Sequence, residues 1–244
     1  MNKKIEHLKE LEFFENISEK TINQILNECD IKTYKQGEIL FQDKEDVTTI
    51  YFVLDGVVSL YKINESGQKK VIFMLGEGKI INDVIIKEMP ASINCEIFET
   101  ADIMGIQREK LLTIMKEDFD LCKNIIISLS SKTRRLYRQL KNTPASIRIE
   151  KRLAAKLYKL AKDYGVKCDE GILINMDISI TYMADLLGSQ RETVSRAMKI
   201  LQKNNLIYYK NKKIILSDFD KISYFFKTSW FLSRCLLFLY FIIK

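Results

Sequence analysis

Hydrophobic and polar residues alternate in three different rhythms along the chain. Over residues 4–28, Leu8, Leu11 and Phe14 share one helical face, and Ile17, Ile22, Ile25 and Leu26 continue it. Short helices are predicted there, with Ser18 placed to start one. From Ile31 to Ile106 the rhythm shortens. Six β-prone runs (Glu38–Phe41, Ile50–Leu54, Val57–Ile63, Lys70–Leu75, Ser92–Glu99 and Asp102–Gln107) are separated by turn signals rich in glycine. Many short strands with frequent turns predict a small sandwich or barrel. Asp55-Gly56, between two apolar runs, predicts a tight hairpin turn.

From Arg108 to about Leu140 the rhythm is helical again. Cys122, Ile126, Leu129, Thr133, Leu136 and Leu140 step by four, three, four, three and four, a heptad seam. Such a seam packs either on the chain's own barrel or on its copy in a dimer. The basic run Arg134, Arg135 and Arg138 makes it an imperfect coiled coil. Asn142-Thr143-Pro144 breaks the helix and is expected to form a hinge. A helix over Ser146–Tyr164 follows, with Ile149, Leu153, Leu157 and Leu160 on one face and Gly165 as its stop. Gly171–Met176 reads as a short strand.

Two helices then come in quick succession. Ser179 caps the first, which runs to Leu187. Tyr182, Met183, Leu186 and Leu187 point inward, and Ala184 allows a close helix crossing. Gly188 permits the turn. The second helix runs from near Ser189 to about Asn204, with Val194, Met198 (or Ala197) and Leu201 inward. Two helices about a glycine turn form a helix-turn-helix. Ile207–Tyr209 and Ile214–Leu216 flank Lys210-Asn211-Lys212-Lys213 as a hairpin, or wing.

The outward face of the second helix carries Gln190, Arg191, Glu192, Ser195 and Arg196. In this geometry the N-terminal residues of the second helix meet base edges. Arginine can grip guanine O6 and N7, and glutamate can accept from a cytosine amino group. The competing reading of Glu192 and Arg196, four apart, is an intrahelical ion pair on an exposed helix.

Charge sharpens this picture. The chain of 244 residues carries +7 overall. Residues 1–115 hold 14 Lys/Arg against 20 Asp/Glu, whereas residues 145–229 hold 16 against 9. An acidic front and a basic back suggest two modules, the second suited to a polyanion. Two prolines and nine glycines leave little room for long linkers. Cys29, Cys95, Cys122, Cys168 and Cys235 lie far apart, so no zinc or iron–sulfur spacing is present. Their odd number and the charged N-terminus predict a reducing, cytoplasmic setting. No phosphate-cradling glycine loop or catalytic histidine context occurs, so an enzyme is not expected.

The run Gly188-Ser189-Gln190-Arg191-Glu192-Thr193-Val194-Ser195-Arg196, with Leu201 and Asn205-Leu206-Ile207 behind it, resembles the recognition helix of the Crp/Fnr family of bacterial regulators. It combines Arg-Glu, as in the cyclic AMP receptor branch, with Glu-x-x-Ser-Arg, as in the Fnr branch. The resemblance extends to about Lys227. It implies an α+β chain: a cyclic-nucleotide-binding-like jelly-roll sensor domain over residues 1–115, a dimerisation helix over 116–143 and a winged helix-turn-helix DNA-binding domain over 144–227. It further implies a homodimer on a palindromic site of double-stranded DNA, RNA polymerase as a partner, and the DNA-binding domains re-aimed about Pro144 when the sensor changes.

The sensor departs from the family's pattern. Cyclic-nucleotide binders of the family hold the ribose with Gly-Glu and the phosphate with Arg-Ser. Those places fall here near Ile81-Asn82 and Ala91-Ser92, without the carboxylate or the arginine. Weak or no cyclic AMP binding is therefore expected. Cys29 stands alone and His7, the single histidine, lies on a charged helix, so neither an iron–sulfur cluster nor haem is expected. Cys95 and Cys122 read as thiol sensors or, by default, as small core residues. No cofactor is identified, and the effector is unknown.

Trp230–Ile243 is almost wholly apolar and lies beyond the resemblance. It is shorter than the roughly 20 residues a spanning helix needs, and Arg234 interrupts it. Three readings stand: a membrane-surface or partner-binding segment, a helix tucked against the body, or an extension from an altered reading frame. Beside the DNA-binding regulator stand two alternatives, a membrane-tethered regulator and a signalling module whose helix-turn-helix contacts protein only.

Overall fold

A computed structural model describes residues 8–141 and 147–227. His7, the Asn142-Thr143-Pro144 hinge and the Trp230–Ile243 tail lie outside them. The chain divides into two compact units, Met1–Gln139 and Leu140–Lys244.

In the first unit a 3₁₀ turn, Glu12–Phe14, precedes helix α1, Glu19–Glu28. Ser18 starts α1 as expected: its hydroxyl accepts from the Thr21 amide at 3.1 Å. Five antiparallel strands follow: β1 (Cys29–Tyr34), β2 (Ile39–Phe41), β3 (Thr49–Ile63), β4 (Lys69–Leu75) and β5 (Asn94–Gln107). Their order is β1-β5-β3-β4, with β2 also on β5. Phe14, Ile22, Ile25, Phe41, Ile50, Phe52, Ile97 and Ile103 fill the core between the strands and α1. The rings of Phe13 and Phe14 stand 4.9 and 5.7 Å from that of Phe52, which fastens the N-terminal segment to β3.

Two expectations about the strands need correction. Asp55-Gly56 is not a hairpin turn. Ile50–Leu54 and Val57–Ile63 are two halves of one strand, β3, and both halves pair with β5. The register steps at Asp55 and Val57, so the pair is a bulge that bends a continuous strand. Gly56 has φ +80°, and a Cβ there would lie 2.2 Å from the Thr100 carbonyl oxygen, so the close approach and the backbone both require glycine. Likewise Ser92–Glu99 and Asp102–Gln107 merge into β5. The strand β1 was not anticipated. It is an edge strand with its four central residues exposed, so it lacks the alternation that betrays a half-buried strand.

The helical stretch after Arg108 is two helices, α2 (Arg108–Met115) and α3 (Phe119–Lys141). The Asp118 carboxylate accepts from the Leu121 amide at the start of α3 and from the Thr21 hydroxyl of α1. On α3, Leu121 and Ile125 are buried against the barrel. The heptad seam lies one position round the helix. Cys122 and Leu129 are half-buried, Thr133 is exposed, and Ile126, Leu136 and Leu140 are 59, 40 and 72 % exposed. Leu129 packs on the core, whereas Ile126, Thr133, Leu136 and Leu140 face away from it.

In the second unit, α4 (Ile149–Tyr164) buries Leu153, Leu157 and Leu160. A four-stranded antiparallel sheet follows the order β6-β7-β9-β8, from β6 (Gly165–Cys168), β7 (Gly171–Ile174), β8 (Ile207–Lys210) and β9 (Lys213–Leu216). Gly165 ends α4, but not as a left-handed cap: its φ is −85° and it opens β6, which the sequence did not reveal. It must be glycine because a Cβ would lie 2.0 Å from the Ala161 carbonyl oxygen. Residues 219–227 are helical, and Phe219 and Phe226 pack on Tyr158 at 4.5 and 5.5 Å.

Candidate nucleic-acid interface

Helix α5, Ile180–Leu187, begins at Ser179, whose hydroxyl accepts from the Tyr182 amide at 3.0 Å. Met183, Ala184, Leu186 and Leu187 are buried, while Tyr182 is half-buried. Gly188 ends the helix in the left-handed region, φ 58° and ψ 50°. The Ser189 amide then returns to the Ala184 carbonyl at 3.1 Å. Helix α6, Arg191–Lys203, follows with Gln190 at its N-cap and Val194, Ala197, Met198 and Leu201 buried. Both Ala197 and Met198 face inward, so the two options the sequence left open are both occupied.

This inward stripe sets the outward one. Gln190, Arg191, Glu192 and Arg196 are exposed, and Ser189, Thr193 and Ser195 are half-buried. Among the described residues no ion pair joins Glu192 to Arg196. The five base-facing candidates sit on the first two turns of α6, aimed away from the core.

The wing is tied to the same unit. Asn211 and Lys212 both have positive φ, 51° and 64°, a tight I′-type turn between β8 and β9. The Ile178 amide donates to the Lys212 carbonyl at 2.9 Å, and Lys213 pairs with Asp177 at 2.8 Å. The hydrogen bond from Lys213 holds the Asp177 carboxyl below the ordinary carboxylate value. The wing therefore hangs on the lead-in to α5. Sequence reasoning also missed Arg152 of α4, whose guanidinium donates to the Leu187 carbonyl at 2.6 Å and closes the C-terminus of α5 just before the turn. The two residues are 35 apart with no shared periodicity, so no local signal pointed to the pair.

Ser179→Ala removes the only side-chain cap on α5 or α6 among the described residues. It is expected to destabilise the second unit by about 1 kcal/mol, a fall of roughly 4–8 °C in its melting temperature by calorimetry.

In the barrel, Ile81, Asn82 and Ala91 are buried. The Asn82 amide serves the backbone of β3: its oxygen accepts from the Tyr51 amide at 2.9 Å and its nitrogen donates to the Thr49 carbonyl at 2.8 Å. Cys95 is fully buried, and burial pushes its thiol far above the ordinary cysteine value, which suits a core residue rather than a reactive thiolate. Cys122 donates to the Met115 carbonyl. Among the described residues no cluster of His, Cys, Asp or Glu is placed to hold a metal ion, and no helix is long and apolar enough to cross a membrane.

An antiparallel β unit followed by a basic winged helix-turn-helix defines the architecture of a DNA-binding transcription regulator. Comparison with known proteins agrees. The cyclic nucleotide-binding domain family matches residues 31–118, and the Crp-like helix-turn-helix domain family matches residues 151–224. The global nitrogen regulator of Nostoc sp. is 25% identical over 187 residues, 75% of this chain and 83% of its own length. The cAMP-activated global transcriptional regulator CRP of Haemophilus influenzae is 24% identical, over 80% of this chain and 87% of its own. Among solved structures, the c-di-GMP-responsive global regulator CLP of Xanthomonas campestris matches with a TM-score of 0.73 at 20% identity, over 82% of this chain and all of that one. The chain belongs to the Crp/Fnr family of transcription regulators.

Proposed function

We propose that the protein binds a palindromic duplex as a homodimer and reads each half-site with Gln190, Arg191, Glu192, Ser195 and Arg196. The observation that carries this is the start of α6. Five polar side chains lie off the buried stripe at the N-cap and first two turns of one helix, and among the described residues none is seen in an ion pair or side-chain hydrogen bond. Arg191 and Arg196 suit guanine, and Glu192 suits cytosine. Lys210 and Lys212 on the wing suit phosphate, which adds affinity without sequence preference.

The seam of α3, exposed at Ile126, Thr133, Leu136 and Leu140 and half-buried at Cys122 and Leu129, supplies the dimer surface at heptad spacing. Two copies joined there carry two reading helices, whose half-sites lie about 10 base pairs apart. RNA polymerase is the partner the family resemblance implies for such a regulator. The effector at the barrel is unassigned, and a membrane role for Trp230–Ile243 awaits flotation of the full chain against a version ending at Ser229.

Selection of duplexes from a random pool by the full chain is expected to enrich inverted repeats. Enrichment of single, unrepeated half-sites would overturn the dimeric reading. The variant carrying Leu136→Glu and Leu140→Glu should still fold, since both side chains are exposed in the single chain. It is expected to sediment as a monomer and to bind the selected site about 10²-fold more weakly or worse, the scale that linking two binding modules supplies.

A further inference from the structure

The two halves of α3 are held to the barrel by different forces. In the first half Leu121 and Ile125 are buried apolar residues. In the second half Leu129 still packs on the core, but Ser128, Lys132, Arg135 and Gln139, which continue the inward face at three- and four-residue steps, are polar. Each of these four finds a partner on the barrel. The Lys132 ammonium donates to the Ile80 carbonyl at 2.9 Å, the Ile81 carbonyl at 3.1 Å and the Asp83 carboxylate at 2.7 Å. Ser128, one turn earlier, donates to the other Asp83 oxygen at 2.8 Å. The Arg135 guanidinium lies over the Phe73 ring at 5.1 Å, and Gln139 donates to the Ile72 carbonyl at 2.8 Å.

The ammonium has three N–H donors and all three are used. Asp83 is 1 % exposed and the Lys132 side chain 13 %. Burial draws the Lys132 ammonium below lysine's ordinary value, and the Asp83 carboxylate works against that. The acceptors are themselves fixed: Asn82 ties residues 80–83 to β3, and Ile81 donates from its amide to the Tyr51 carbonyl at 2.8 Å. A buried ion pair of this kind adds little net stability over an apolar pair, but losing one partner strands a charge. Its directional bonds fix geometry where hydrophobic packing would allow the helix to roll.

We infer that Lys132 is a positioning residue for DNA binding: with Asp83 and Ser128 it locks the rotation of the second half of α3, and so keeps the seam residues Leu136 and Leu140 turned outward, without a small molecule. The part that concerns dimerisation and DNA rests on the proposed function; the lock itself does not. Arg135 is turned to the barrel, and Leu136, the next residue, lies about 100° from it round the helix. Rolling of this segment would carry the seam toward the barrel.

The test uses the full chain without added ligand. Hydrogen exchange over residues 128–139 is expected to quicken at least tenfold in Lys132→Met, with exchange over residues 149–216 unchanged. The dimer dissociation constant by sedimentation should rise at least tenfold. Lys132→Ala leaves space for a propylammonium ion, which carries the deleted atoms. Propylammonium at tens of millimolar is expected to restore slow exchange in Lys132→Ala, whereas propanol is not. Parental exchange in Lys132→Met would overturn the inference, as would a Lys132→Ala defect that propylammonium does not relieve. Should these variants not fold, Ser128→Ala decides: it retains the ammonium, and unchanged exchange over residues 128–139 would overturn the lock. Exchange needs neither partner nor DNA, so it remains decisive even if the seam variant Leu136→Glu with Leu140→Glu shows that the dimer forms elsewhere.

Discussion

Arg191→Ala and Arg196→Ala are each expected to remove about 1–3 kcal/mol of discrimination per half-site, which is roughly 5- to 150-fold in affinity for the selected duplex. Because a dimer carries each residue twice, the loss for the whole site is larger still. Binding to a scrambled duplex should change far less. Lys212→Ala makes the informative contrast. Its ammonium sits on the wing turn, where a phosphate contact would weaken binding to every duplex alike and lower the salt slope by about one per contact. Fluorescence anisotropy at several salt concentrations separates the two. If both arginine variants bind the selected and scrambled duplexes as the parent does, α6 does not read bases. The protein-contact alternative for this helix-turn-helix would then gain ground.

Gly56→Val should be the most damaging single substitution of a glycine in the barrel. Its Cβ would stand 2.2 Å from the Thr100 carbonyl oxygen and 2.7 Å from the Ala101 Cα, both backbone atoms of the paired strand β5. The residue also has φ +80°, a region a β-branched side chain avoids. Strain of this kind costs about 1–3 kcal/mol before any clash. With the ladder forced apart the loss is expected to reach about 4 kcal/mol, the exceptional end of single-residue effects. Gly67→Val is the control. Gly67 has φ +76° but nothing within 4 Å of its Cβ position, so it should suffer the backbone strain alone. Chemical denaturation of the two variants isolates the cost of the close approach; equal losses would show that the bulge has room after all.

The second unit was the more legible half of the chain. The cap at Ser179, the turn at Gly188 and, apart from the half-buried Tyr182, the inward residues of α5 and α6 stand where pattern and turn chemistry placed them. These are local signals: a hydroxyl before a helix, a glycine after one, a 3.6-residue stripe. What was not legible came from partners distant in sequence. Asp55-Gly56 carries the same two residues whether it turns a chain or bends a strand, and only the continuous partner β5 decides. The exposed edge strand β1 lacked alternation, and Gly165 showed that a chain needs glycine but not why.

The exposed face of α6 was visible because burial of its opposite stripe follows from the same periodicity. The bonds that steady it were not: Arg152 to Leu187 and Lys213 to Asp177 join residues 35 and 36 apart. The seam on α3 was visible as a heptad, but its orientation was not. A second, polar heptad-like series runs beside it, and sequence alone does not say which series meets the barrel.

These two series on α3 differ by one position: Leu121, Ile125, Ser128, Lys132, Arg135 and Gln139 face the barrel, and Cys122, Ile126, Leu129, Thr133, Leu136 and Leu140 follow each of them by a single residue. One residue is about 100° of helix rotation. The helix is thus written like two interleaved texts sharing one reading frame. Exchange of one letter blurs a word, whereas deletion of one residue between Ile125 and Ser128 would turn Lys132, Arg135 and Gln139 off the barrel and bring the seam onto it, and insertion of one would move the polar series to the seam's face. Over evolutionary time this stretch should tolerate exchanges that keep each series' character, and hardly any change in length.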